Sequence, residues 1–159
     1  MNRDRSPGTV PAAGCESLVV FTLGGGEYAI PTGEVGEVLR MVAVTPLPGA
    51  PAWLSGIVNL RGRVVPVIDL RTRLGFPDAP IGLSTPILIV EIDGIVAGLI
   101  ADSVQGMASV SADELTWPGE SDAPTPFVRA IAHVPGRLIL VVDVSSVCEG
   151  VASFLSADV

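Results

Sequence analysis

The 159-residue sequence contains no lysine: all nine basic residues are arginines, set against 17 acidic residues for a formal net charge of −8. A chain this acidic lacks the basic surface that nucleic acid or an anionic membrane requires, so neither is expected as a main partner. Without a lysine, and with no helix following it, Gly24-Gly25-Gly26 does not read as a phosphate-binding loop; it reads as a hairpin turn. Histidine is scarce too. The single one, His133, stands in an apolar run with no partners at the spacing of a triad or a metal site, and reads as a strand residue. Asp102-Ser103-Val104 resembles the Asp-Ser/Thr-Gly of aspartic proteases, but the glycine is missing and strand register explains the triplet. There are two cysteines, Cys15 and Cys148, with no Cys-x-x-Cys pair, and both are expected as free thiols in a reducing cytoplasm. No catalysis, cofactor or metal is expected. Long apolar runs are absent even though mean hydropathy is +0.58 and 48% of residues are hydrophobic. Runs such as Ile95 to Ala101 fall far short of the ~20 residues of a membrane-spanning helix. Residues 1–16 have no apolar core of the kind a secretory signal carries, and read as a tail.

What is present is β-structure. Segments rich in Val, Ile and Leu recur at short intervals, bounded by Gly, Pro, Asn and Asp, which is the pattern of an all-β sandwich or barrel. Strands are expected over 18–23, 27–31, 42–45, 56–60, 64–70, 87–92, 95–101, 103–110, 128–134 and 138–144. Hairpin turns are expected at Gly24-Gly25-Gly26, Arg61-Gly62, Asp93-Gly94 and Pro135-Gly136. Helical signal is short: Thr32 to Arg40, one turn each at Pro51 to Leu54 and Leu70 to Leu74, and a C-terminal helix capped by Ser145.

The chain also repeats itself. Laying Gly56–Leu70 (GIVNLRGRVVPVIDL) over Ala130–Val144 (AIAHVPGRLILVVDV) gives five identities in fifteen positions, among them Gly62/Gly136, Arg63/Arg137 and Asp69/Asp143. A weaker match sets Phe21-Thr22-Leu23 and Tyr28-Ala29 on Val90-Glu91-Ile92 and Val96-Ala97. Two similar lobes follow, at about 17–76 and 85–144, with Pro77 to Pro86 as the linker between them, a long surface loop over Asp113 to Pro126, and a tail or helix end over 151–159.

Three features point to interaction with other proteins. Arg61 and Arg63 flank a hairpin tip, where a guanidinium can make paired hydrogen bonds to a carboxylate, and Arg71 and Arg73 extend this into a short basic stretch. Glu34 to Arg40 mixes apolar and acidic residues on a connecting segment, and Pro46 to Trp53 is a rigid loop ending in a tryptophan.

Phe21-x-Leu23, Glu27-Tyr28-Ala29-Ile30, Val35-x-Glu37-Val38, Pro46-Leu47-Pro48, Trp53-Leu54-x-Gly56-Ile57-x-Asn59-Leu60-Arg61-Gly62, Val65-Pro66-Val67-Ile68-Asp69-Leu70-Arg71 and Val96 to Val104 follow one another in the order of the CheW-type chemotaxis coupling proteins. The resemblance runs from about Leu18 to Val147. It implies an all-β fold of two five-stranded SH3-like barrels packed together, with short connecting helices, and a non-catalytic cytoplasmic scaffold. Such a scaffold would be a monomer alone and part of an array or ring in complex, joining the tips of methyl-accepting chemoreceptors to a CheA-type histidine kinase at the inner face of the membrane. The receptor tip would lie in the groove between the lobes. By position, Val35, Glu37, Val38, Arg61 and Gly62 match the receptor-binding places, and Trp53, Trp117 and Glu120 fall on the kinase-binding side. Within the second-lobe loop, relatives often carry a basic residue and an aromatic; Thr116 and Ser121 stand there instead, around Trp117. The same fold and role in a non-flagellar pathway, or a small β-barrel hydrolase or ligand-binding domain, are the other readings.

Overall fold

The computed structural model describes residues 15–77, 79–116 and 126–152. In chain order they form β1 (Cys15–Leu23), β2 (Gly26–Pro31), β3 (Val35–Arg40), β4 (Leu54–Leu60), β5 (Arg63–Asp69), α1 (Leu70–Arg73), β6 (Pro86–Ile92), β7 (Ile95–Ile100), β8 (Ser103–Ser111), β9 (Leu115–Thr116), β10 (Val128–Val134), β11 (Arg137–Val142) and α2 (Val144–Val147). None of the helices among the described residues is long and apolar enough to cross a membrane.

Turn chemistry dictates the hairpins. At three tips both central residues hold positive φ: Gly24 and Gly25 (55° and 88°), Arg61 and Gly62 (52° and 84°), Asp93 and Gly94 (53° and 79°). Two consecutive residues of positive φ give the turn whose twist matches that of the flanking strands. Gly26 therefore belongs to β2, paired with Leu23, and not to the turn in which the sequence placed it.

The strands make two sheets, a five-stranded one in the order β3-β6-β7-β5-β4 and a six-stranded one in the order β8-β1-β2-β11-β10-β9. Each closes on itself. The chain leaving β3 returns to the far edge, where Thr45 bridges Ile57 of β4. The chain leaving β8 makes one 3-10 turn over Ala112–Glu114 and lays β9 against β10 at the opposite edge. The sheets thus form two small barrels built alike: β1-β2 in one corresponds to β6-β7 in the other, β8 to β3, and β10-β11 to β4-β5.

The lobe boundaries do not follow the halves of the repeat. Hairpin β1-β2, from the first half, pairs with β8 and β11 of the second, while β6-β7, from the second half, pairs with β3 and β5 of the first. The five-stranded barrel is consequently one run of chain, β3 to β7, set between β2 and β8 of the other. Residues 77–85 join β5 to β6 within a single barrel and do not link two lobes. The chain passes between barrels at two places, the 3-10 turn Thr32–Glu34 and the pair Ala101-Asp102. Structural equivalence also moves the weaker repeat match by one residue, because Leu23 pairs with Gly26 as Ile92 pairs with Ile95.

Three apolar clusters result. One fills the five-stranded barrel around Val67, Ile87 and Ile100, and another fills the six-stranded barrel around Val20, Ala130 and Ile139. The largest lies between the barrels and gathers Phe21, Leu23, Ile30, Ile68, Leu88, Leu99, Val142 and Val147, all buried. At ~25 cal/mol per Å² of apolar surface, this interface makes the two barrels one unit.

Several local expectations are corrected. Thr32 to Arg40 is helical only over Thr32–Glu34; β3 follows, with a bulge between Val35 and Glu37. That extra residue shifts register, so the apolar positions 35, 38 and 39 mimic helical spacing. Val42 to Thr45 contributes a single bridge, not a strand. The helix α2 is capped by Asp143, whose carboxylate accepts from the Ser146 amide, and Ser145 lies inside it. The loop expected from Asp113 begins with a 3-10 turn and β9; residues 117–125 lie outside the described residues.

Candidate functional site

The four arginines of the expected basic stretch go to different places. Arg71 is buried, with 3% of its surface exposed. It meets both carboxylate oxygens of Asp69 (3.2 and 3.3 Å) and, at 3.4 Å, Asp102. Asp102 in turn accepts from the Gly24 amide at 2.9 Å, so one buried cation ties α1, the second inter-barrel crossing and the β1-β2 turn together. A buried cation is tolerable only with such paired acceptors. Arg73 stacks over the Trp53 ring at 3.8 Å and donates to the carbonyls of Ser146, Val147 and Glu149, which caps the open end of α2. These two are structural, and the basic surface shrinks to the hairpin tip.

At that tip the β4-β5 turn carries Arg61 toward β3. Asn59 supports the turn by accepting from the Gly62 amide at 2.9 Å. Both terminal nitrogens of Arg61 donate to Glu37, one to each carboxylate oxygen, at 2.8 Å. Two of the expected receptor-contacting residues are therefore partners of each other in the free chain. The Arg61 hydrogen bonds hold the Glu37 carboxyl below its ordinary range, and the same bonds raise the Arg61 guanidinium. The pair is open to solvent, with 67% of the Arg61 side chain and 32% of the Glu37 side chain exposed, so what it supplies is orientation more than stability.

A cavity of about 380 Å³ opens beside the pair, walled by Leu60, Val65, Ile89 and Val96 and edged by Glu37, Arg61, Arg63 and Glu91. Leu60 and Ile89 also wall a neighbouring, more apolar cavity of about 360 Å³ that includes Leu39, Val42 and Val58. All these residues belong to the five-stranded barrel or the chain leaving β3. The concavity next to the candidate residues lies in one barrel; the space between barrels is occupied by the largest core cluster.

Val35 and Val38 separate. Val35 packs against the central core, whereas Val38 is 44% exposed on the outer face of β3. The repeat explains Arg63. Its counterpart Arg137 binds Glu27 at 2.8 Å, but where Glu27 follows Gly26 on β2, β7 has Val96 following Ile95. Arg63 consequently forms no ion pair with any described residue and stays exposed at the cavity edge.

Residues 17–151 match the CheW-like domain. The chain belongs to the CheW-like family. Among relatives, a chemotaxis protein CheW of Rhizobium meliloti is 32% identical over 136 residues, which cover 84% of this chain and 88% of that protein. Protein PilI of Pseudomonas aeruginosa is 38% identical over 119 residues, covering 74% of this chain and 67% of its own length. In structure, the chain is similar to the scaffolding protein TtCheW of Thermoanaerobacter tengcongensis, with a TM-score of 0.79 and 33% identity, over 84% of this chain and 92% of that one. The expected fold class of two packed SH3-like barrels therefore holds for this CheW-like protein, with six strands in one barrel where five were expected.

On the expected kinase side, Trp53 is half-buried against the central core and covered on one face by Arg73, so only part of its ring is available to a partner. Trp117 and Glu120 lie outside the described residues. His133 is exposed on β10, not enclosed in a core. No group of three metal-ligating side chains occurs among the described residues. Of the two thiols, Cys15 is exposed and Cys148 buried, and burial pushes Cys148 up to about 11 despite the nearby Arg73. Sequence reasoning marked the segment beginning at Glu34 but missed Arg129 and the pairing of the two, which meet across the first inter-barrel crossing at 3.5 Å. Nothing in the pattern of residues 34 and 129 announces a contact 95 positions apart.

Proposed function

We propose that this CheW-like protein is a non-catalytic adaptor that couples the cytoplasmic tips of methyl-accepting chemoreceptors to a CheA-type histidine kinase in a cytoplasmic signalling array at the inner face of the membrane. The observation that carries the reading is the Glu37–Arg61 pair, which presents an oriented guanidinium beside an open, largely apolar cavity. A receptor tip meeting Glu37, Val38, Arg61 and Gly62 would find charge and apolar surface side by side, the composition of a transient interface with a few dominant residues. Val35 supports this face from within. Trp53, Trp117 and Glu120 are proposed for the kinase side. The same role in a pathway other than flagellar chemotaxis is a second reading, favoured by similarity to PilI and to FrzA of Myxococcus xanthus, the latter 34% identical over 123 residues. Neighbouring genes would separate the two.

Size-exclusion chromatography with the regulatory domain of a CheA-type kinase from the same cell is the simplest test. A 1:1 complex is expected; two unshifted peaks at 50 µM of each, roughly ten times a micromolar dissociation constant or more, would remove the kinase from the reading.

A further inference from the structure

The two inter-barrel crossings are tied by different groups. At Ala101-Asp102, the Asp102 carboxylate is fixed from both sides, by the Gly24 amide at 2.9 Å and by buried Arg71, and the Asp102 amide donates to the Thr22 carbonyl at 3.0 Å. At Thr32–Glu34, the Thr32 hydroxyl donates to Ser17 on β1 at 2.9 Å, and Arg129, on β10 of the six-stranded barrel, reaches Oε2 of Glu34 at 3.5 Å. The other oxygen, Oε1, is buried and has no hydrogen-bond partner. A buried carboxylate oxygen left unpaired is costly, and natural proteins keep such atoms rarely. Its other charged neighbours do not help: Asp143 at the cap of α2, Glu16 on β1 and Asp93 at the β6-β7 turn are all acidic, and burial raises Glu34 against the attraction of Arg129.

Glu34 also occupies a telling place. It is the last residue before β3, three positions ahead of Glu37, which holds Arg61. A movement of β3 that followed a partner's engagement of Arg61 would reach Glu34 first, through the chain, and Arg129 on the other barrel through the 3.5 Å contact. The Asp102 crossing, tied at three points, would act as the fixed side of that movement.

We propose that Glu34 and Arg129 are positioning residues that set β3, and with it the Glu37–Arg61 pair, against the six-stranded barrel, so that binding at the receptor face and binding at the kinase face are coupled through their contact. This rests on the adaptor reading. Coupling of this kind is measured as a ratio of affinities, which a purely structural role would leave unchanged.

The experiment uses the full-length chain with Glu34→Gln and, separately, Arg129→Gln. For each, the dissociation constant of the kinase regulatory domain is measured with and without a saturating receptor-tip fragment, alongside the affinity of each partner alone and the unfolding midpoint. In the wild type the receptor fragment is expected to change the kinase affinity at least fivefold. In either variant that folds, the ratio falls to within twofold of one while each separate affinity stays within threefold of wild type. A variant that keeps the wild-type ratio, or one that loses receptor affinity tenfold on its own, overturns the proposal. So does a wild-type ratio of one with both partners bound. Failure of the wild type to bind either partner alone overturns the adaptor reading itself.

Discussion

Arg61→Glu is expected to weaken receptor-tip binding at least 100-fold, about 2.7 kcal/mol, while the folded state survives. The variant sets a second carboxylate against Glu37 in place of the two 2.8 Å hydrogen bonds that now orient the tip. Because the pair is exposed to solvent, losing it leaves the fold almost unaffected. The turn itself is undisturbed: Arg61 already sits at a φ of 52° as a non-glycine residue, and the Asn59 to Gly62 contact does not involve its side chain. Losing the one oriented cation at the cavity, and replacing it with repulsion, removes the residue on which a small interface would depend most. Isothermal titration with a receptor-tip hairpin checks this, with circular dichroism and kinase binding as controls expected to be unchanged. Receptor affinity within threefold of wild type would sink the site assignment.

Gly56→Ala is expected to have the largest effect on stability. Gly56 holds a φ of 149°, and a Cβ placed there would stand 2.2 Å from the Thr45 carbonyl oxygen and 2.7 Å from its carbon. Thr45 and Ile57 exchange two backbone hydrogen bonds of 2.9 Å, and these close the five-stranded barrel. Alanine must break that closure or force the backbone aside. The cost is about 3 kcal/mol or more, since strain at a special φ, a severe clash and two lost hydrogen bonds act together. For a chain of this size that corresponds to a fall of roughly 10 °C in Tm. A scanning calorimetry Tm within 2 °C of wild type would contradict the account of how the barrel closes. The corresponding residue in the repeat is Ala130, in the other barrel, so the need for glycine comes from the Thr45 approach and not from the hairpin as such.

How far the sequence could be read depended on the range of the interaction involved. Turn residues act within four positions, so Arg61-Gly62 and Asp93-Gly94 announced their hairpins directly. The Gly-Arg and Asp common to both halves marked a true duplication. Assigning strands to barrels was another matter. Nothing local distinguishes a β1-β2 hairpin that pairs with β3 from one that pairs with β8 and β11, because the inner faces of both barrels are apolar throughout; the exchange of hairpins between halves is settled only by packing around the central cluster. The strand β3 was read as helix because a bulge at Gly36 breaks its two-residue period. Within the site, Glu37 and Arg61 were both marked as candidates, but their mutual pairing across 24 positions was not. Arg71 and Arg73 looked like part of a basic surface because composition cannot tell a solvated arginine from one enclosed by Asp69, or from one lying on Trp53.

An adaptor of the proposed kind carries receptor and kinase on one molecule at the same time. Analytical ultracentrifugation of the protein with a fluorescent receptor-tip fragment and the kinase regulatory domain measures this directly. A single boundary containing all three components is expected, absent when Arg61→Glu replaces the wild type. Receptor fragment displaced stoichiometrically by the kinase domain, with no species holding both, would contradict it.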